Sequence, residues 1–256
     1  STMGTEDMQM FCDLLENINV AEKSLLMCKA SIGFPGNDAK LTGSIDIWWV
    51  FDLFPANGLL LLLAYLLQRH QVWQSTKVRL FVVTSPETDP GELRELLVKM
   101  ISAGGMKINV KVLRLDFKDA PRFSVNIQER TGSGQKLPPV SFQEMDILGK
   151  SQSFNEDSDH DEIFTFPSVS IDDPTLNPVS SEIIETIPID SEGSKLTALF
   201  ERFSEASSLV ITSLPKKKPE QLPSDWFRSV ENLTSSLRRV IFVMESGVEK
   251  IQFYSE

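Results

Sequence analysis

The sequence has no long hydrophobic run. Its longest uninterrupted apolar stretch, Leu59 to Leu67, is nine residues, whereas a membrane-spanning helix needs about 20. No charged-then-apolar leader stands before a small-residue cleavage site, so no signal peptide is expected. The first residue is Ser1 rather than Met, which suits a processed chain or a fragment. Cysteine is scarce: Cys12 and Cys28 are the only two, both in apolar stretches and without CxxC spacing. That usage predicts buried free thiols in a reducing compartment. A structural zinc needs about four ligands, and two scattered cysteines with His70 and His160 do not offer a set, so no metal is expected.

Chemical signatures are missing as well. There is no GxGxxG for a dinucleotide and no GxxxxGK[ST] for a nucleoside triphosphate; Gly132-Ser-Gly-Gln-Lys136 is only a partial likeness of the latter. Neither GxSxG nor HExxH occurs. His70, in Gln-Arg-His-Gln, reads as the polar end of a helix. Asp46 sits between Ile45 and Ile47 in a strand pattern, and a buried carboxylate there requires a partner; structural hydrogen bonding is the expectation and acid catalysis the alternative. No catalytic residue and no cofactor are assigned, and the chain is not expected to be an enzyme. Asn232-Leu233-Thr234 fits a glycosylation acceptor that a cytosolic chain would leave unused.

What is present is ordinary globular material, 256 residues with 41% hydrophobic and 24% charged, enough for one large or two small domains. The net charge of −11 is concentrated: residues 131–192 hold thirteen acids and two lysines, while the 23 acids and 23 bases elsewhere cancel. The folded remainder thus has no basic excess, and no nucleic-acid partner is expected. The acidic stretch also holds six prolines and many serines. Such composition buries too little to offset about 1–2 kcal/mol of backbone entropy per residue. Residues 131–192 are therefore expected to be a disordered acidic insertion, with a short helix at 141–149.

The flanks carry regular patterns. Met8, Phe11, Cys12, Leu15 and Ile18 recur at helical spacing over 5–19. Leu25–Cys28 reads as a buried strand, Ile45–Phe51 and Val78–Val83 as strands, and Ile108–Leu115 as an alternating one. Helices are expected over 58–69, with Asn57 as a cap, and from Pro90 to about Ser102, ended by Gly104-Gly105. After the insertion come a helix over 193–206, a strand over 209–212, a helix around Trp226 to Leu237, a strand over 239–244 and a short terminal strand, Ile251 to Tyr254. Strands alternating with helices mean a mainly parallel sheet covered on both faces. The expectation is one α/β domain made of residues 1–130 and 193–256, interrupted by 131–192. The loop Gly33-Phe-Pro-Gly36 with Gly43-Ser44 is faintly similar to the nucleotide loop of universal stress proteins, which leaves a nucleotide-binding protein of that type as the alternative function.

Gly43-Ser-Ile-Asp-Ile-Trp-Trp-Val-Phe-Asp52 resembles the second half of the C-terminal cytosolic domain of cation–chloride cotransporters. The leucine-rich helix 58–67, Trp73, Val78-Arg-Leu-Phe81, Ser208-Leu-Val-Ile-Thr-Ser-Leu-Pro215, the stretch Trp226 to Val243 and Phe253-Tyr-Ser255 follow the family's pattern in order. The chain departs from it at Asp52–Gly58, where the family has Asp-Asp-Gly-Gly. The Leu214-Pro215 turn and the Phe51-Asp52 pair resemble the sodium–potassium–chloride branch slightly more than the potassium–chloride branch. The resemblance implies a universal-stress-protein-like fold and a regulatory scaffold on the cytoplasmic face of a multi-pass membrane protein. It also implies homodimers, a transmembrane domain as partner, and control by regulatory kinases. It further implies that the sheet lacks a strand and so has an exposed edge.

Three candidate sites accompany this reading. Ser153, Ser158 and Ser170 each precede an acid by three residues, the spacing acidophilic kinases favour. Arg122, Phe123 and Val125 match an Arg-Phe-x-Val kinase-docking motif, although Phe123 and Val125 would also share one side of an edge strand. Lys216, Lys217 and Lys218 form a basic cluster that fits either a solvated loop or an anionic membrane surface.

Overall fold

A computed structural model describes residues 4–50, 58–84, 89–103, 105–114 and 195–246, with the dipeptides 164–165, 185–186 and 251–252. In chain order the elements are α1 (Thr5–Val20), β1 (Leu25–Ala30), β2 (Ser44–Val50), α2 (Gly58–Arg69), β3 (Lys77–Thr84), α3 (Pro90–Ala103) and β4 (Ile108–Arg114). They continue with β5 (Phe164–Thr165), β6 (Glu185–Thr186), α4 (Lys195–Ser204), β7 (Leu209–Ser213), α5 (Pro223–Leu233), β8 (Arg239–Met244) and β9 (Ile251–Gln252).

The main sheet has the order β1-β8-β7-β2-β3-β4-β6. Every pairing in it is parallel except β1 on β8. The chain runs outward from β2 through β3 to β4, then returns to β7 on the other side of β2. Right-handed crossovers in opposite directions put helices on opposite faces, and two separate cores result. One joins Ile45, Ile47 and Trp49 of β2 to α2 (Leu60, Leu61, Ala64) and α3 (Leu93, Leu97). The other joins Trp48 and Val50 to α1 (Cys12, Leu15), α4 (Leu199, Phe200) and α5 (Trp226, Val230). Side chains alternate along a strand, so Trp48 and Trp49 serve different cores, and both are buried, at 0% and 3% exposure.

Local chemistry explains the element ends. The Asp89 carboxylate accepts hydrogen bonds from the backbone amides of Gly91 (2.7 Å) and Glu92 (3.1 Å), satisfying donors that the first turn of α3 leaves free. Beyond α3, Gly105 takes φ of 63°. Pro223 opens α5, where its missing amide costs nothing. Helix α2 is apolar almost throughout and buries Leu60, Leu61, Leu62 and Ala64. At twelve residues it is about 18 Å long, and among the described residues no helix is long and apolar enough to cross a membrane.

The expected strand at 25–28 forms, but it is not buried. β1 is the outermost strand of the sheet, Leu26 is 47% exposed and Cys28 is exposed. An apolar run of four residues predicts a strand without saying whether the strand lies at the centre or the rim. Among the described residues β1 pairs with β8 alone. Most of 131–192, including 141–149, lies outside those residues; its two dipeptides β5 and β6 pair in parallel with β9 and β4.

Candidate functional site

The best-defined polar constellation is built on β2. Asp46 is wholly buried, and β3 runs beside it with Arg79 as its direct neighbour. The Arg79 guanidinium grips the carboxylate with two hydrogen bonds, Nε to Oδ1 at 2.8 Å and Nη2 to Oδ2 at 2.6 Å. Nη2 also donates to the Phe203 carbonyl at 2.8 Å. The Ser204 hydroxyl donates to Asp46 Oδ2 at 2.7 Å and accepts from Trp48 Nε1 at 2.9 Å. The carboxylate is therefore held by a fork-shaped cation and a hydroxyl, and the network ties the last turn of α4 to the two central strands. A buried charge this fully partnered is structural. This is the first of the two readings left open for Asp46.

Open parallel sheets bind ligands at the carboxyl ends of their strands, where the order reverses. Here that reversal lies between β2 and β7. The loops 51–57, 85–88 and 115 onward, which leave β2, β3 and β4 there, are outside the described residues, as is Asn57. The turn leaving β7 is described. The Leu214 amide donates to the Val243 carbonyl at 2.8 Å, and Trp226 Nε1 donates to the Pro215 carbonyl at 3.0 Å. Lys216 to Lys218 follow on this carboxyl rim. Lys216 is exposed, while Lys217 and Lys218 are half-buried, and Lys217 Nζ donates to the Lys218 carbonyl at 3.3 Å. The cluster is thus an ordered turn rather than three fully solvated cations.

The glycine loop 33–43 lies at the opposite rim. Gly43 accepts a hydrogen bond from the amide of Lys77, at the start of β3. Arg239, at the start of β8, donates to the carbonyls of Gly33 (2.6 Å) and Ser208 (3.2 Å). Gly43 has φ of 96°, and a Cβ there would stand 2.8 Å from Ser208 Oγ, so glycine is required by close packing. A nucleotide loop of an open α/β sheet belongs at the carboxyl rim, and this loop is fastened to the amino rim.

The remaining candidates separate in space. His70 is exposed at the end of α2, as expected, with Nδ1 accepting from the Val72 amide at 3.3 Å. Burial raises the thiol pKa of Cys12, the largest cause there, and desolvation raises that of Cys28. Thr234 of the glycosylation-like triplet is wholly buried and bonded to the Val230 carbonyl and Lys29. Among the described residues no cluster of metal-ligating side chains occurs. Arg122, Phe123, Val125, Ser153, Ser158 and Ser170 lie outside the described residues.

Residues 11–122, from α1 past β4, match the family model described as solute carrier family 12. That match covers a little under half of the chain. A potassium/chloride cotransporter 3 of Caenorhabditis elegans is 31% identical to this chain over 87 residues. That stretch is 34% of the chain and 8% of the relative, so the chain aligns with only a small fraction of the relative's length. The residues matched by the family model include β2, α2 and β3, the elements that carry Asp46, Trp48, Trp49 and Arg79.

Proposed function

We propose that this chain is a cytosolic regulatory and scaffold domain of an electroneutral cation–chloride cotransporter, one that controls transport and does not conduct. The observation that carries this reading is where the family likeness falls. It covers the strands on which the buried Asp46 is held by Arg79, and among the described residues no helix is long and apolar enough to span a bilayer. Such a unit offers rigid faces for assembly and no ion path. On this reading the parent's transmembrane domain is the constant partner, and two copies of the unit assemble as a homodimer.

Control acts through the acidic insertion. Phosphate on Ser153, Ser158 or Ser170 adds roughly −1.5 to −2 charges per site to a stretch already rich in acids. Arg122, Phe123 and Val125 hold the kinase, with the guanidinium on an acidic pocket and the two apolar side chains in adjoining ones. Lys216 and its neighbours give the turn after β7 an orienting contact with an anionic leaflet.

The test is chloride-dependent cation influx in cells expressing the parent cotransporter with Ser153, Ser158 and Ser170 all changed to Ala. The expected result is normal surface delivery with a blunted response to stimuli that activate the regulatory kinases. An unchanged response would sink the phosphorylation part of the reading.

A further inference from the structure

A concavity with two cations in its lining lies away from the Asp46 network, at the amino rim beneath the ends of α2 and α3. It is a cleft of about 270 Å³, lined by Tyr65, Gln68 and Arg69 of α2, Gln74 of the following turn, and Met106 and Lys107 ahead of β4. Its composition follows from the sequence. Helix α2 is apolar from Leu59 to Leu67 and becomes polar only at Gln68-Arg69, so its polar character is concentrated in the turn that borders the cleft. The left-handed Gly105, with φ of 63°, turns the chain after α3 so that Lys107 joins the same wall.

The lining holds two cations and two side-chain amides and no acid. The Arg69 guanidinium stacks over the Tyr65 ring at 4.4 Å, which occupies its flat face and leaves its in-plane N–H groups for an oxyanion. Neither Arg69 nor Lys107 is paired with a carboxylate among the described residues, and no carboxylate lines the cleft. Arg69 also offsets the partial negative charge at the end of α2, but that role accounts neither for Lys107 nor for the convergence of two side-chain amides. The volume lies just below the 300–1,000 Å³ usual for pockets that enclose drug-sized ligands. It suits one compact, multiply accepting group.

We propose that this cleft binds a phosphate monoester, with Arg69 and Lys107 supplying charge and Gln68 and Gln74 supplying amide donors to its oxygens. The chemistry is the same whether the ester is a free small molecule or a phosphorylated side chain presented to the cleft.

The test is titration calorimetry on the full 256-residue chain with three probes: O-phosphoserine, a synthetic 150–162 peptide phosphorylated at Ser153 and Ser158, and the same peptide unphosphorylated. Saturable binding of O-phosphoserine is expected, weakened by salt and by about tenfold or more in Arg69→Gln and, independently, in Lys107→Gln. Lys107 is an exposed side chain, so its variant keeps the test informative if Arg69→Gln perturbs the end of α2. Tighter binding of the phosphopeptide identifies a presented side chain as the source, and equal binding identifies a free ester. Absence of saturable binding, equal binding of the unphosphorylated peptide, or affinity unchanged in both variants would overturn the proposal.

Discussion

The two faces of the sheet are held in different ways. The face carrying Trp49 is covered by α2 and α3, crossovers that join neighbouring strands within one continuous stretch of chain, and its core is mostly Leu, Ile and Val. The face carrying Trp48 gathers α1 from the start of the sequence and α4 and α5 from its last quarter, and its core sets more aromatic rings among the aliphatic side chains. There Trp48 stacks on Phe81 at 4.6 Å and meets Phe200 at 4.7 Å, and Trp226 lies edge-on to Phe227 at 5.0 Å. Aliphatic packing serves where connectivity already fixes which helix lands where. For α1 and α4, which do not join neighbouring strands of the sheet, directional contacts add to the apolar packing: ring contacts such as Phe11 with Trp226, and the Arg79–Asp46–Ser204–Trp48 chain that holds the end of α4.

The sharpest way to break this comparison is to remove one tryptophan at a time. Either change to Ala is expected to destabilise the chain by about 3–5 kcal/mol. Trp48→Ala should fall near the top of that range because it also removes the hydrogen bond to Ser204. Denaturant unfolding measures both, and a Trp49→Ala loss equal to or larger than that of Trp48→Ala would contradict the asymmetry. Next in size, Arg79→Met leaves the fully buried Asp46 without its cation. Breaking a buried pair in this way costs about 3–5 kcal/mol. The lower end is expected, because the Arg79 side chain is 31% exposed and water screens part of the interaction.

Much of this fold is legible in the sequence, and the exceptions share a cause. Helical spacing of Met8, Phe11, Cys12, Leu15 and Ile18 marks α1, and the β-branched and aromatic run at 45–50 marks the central strand. Asp46 is conspicuous because it interrupts that run. Its partners are not, since Arg79 and Ser204 lie 33 and 158 residues away and neither breaks a local pattern. Cys28 is misjudged for the same reason: local composition marks a strand, but its pairing with β8 alone, at the rim, decides its exposure. The Arg69–Lys107 cleft joins a helix end to a turn before another strand, and nothing in either local pattern reports the meeting.

Smaller effects sharpen the picture. Ser204→Ala removes one hydroxyl bridge and should cost about 1 kcal/mol, detectable in unfolding midpoints; no change would mean that the salt bridge alone secures α4. The two thiols give a labelling test. Cys28 should react with a thiol reagent in the native chain, whereas Cys12, 2% exposed, should react only on unfolding. Both thiols bind their protons more tightly when folded. Cys28 labelling should therefore accelerate at a higher pH in the native chain than in the unfolded one. Stability linked to these groups is present below the unfolded thiol pKa and falls as pH rises through the folded one. Rapid native labelling of both cysteines would contradict the burial of α1.

Ion transport by a full-length cotransporter carrying Trp48→Ala is the most direct measurement of our proposal that this unit governs transport without forming the ion path. Chloride-dependent influx should lose maximal rate or its response to kinase stimuli, while the ion concentrations giving half-maximal rate stay the same for the protein that reaches the surface. A shift in ion affinity, or full and normally regulated influx despite the destabilised domain, would contradict it.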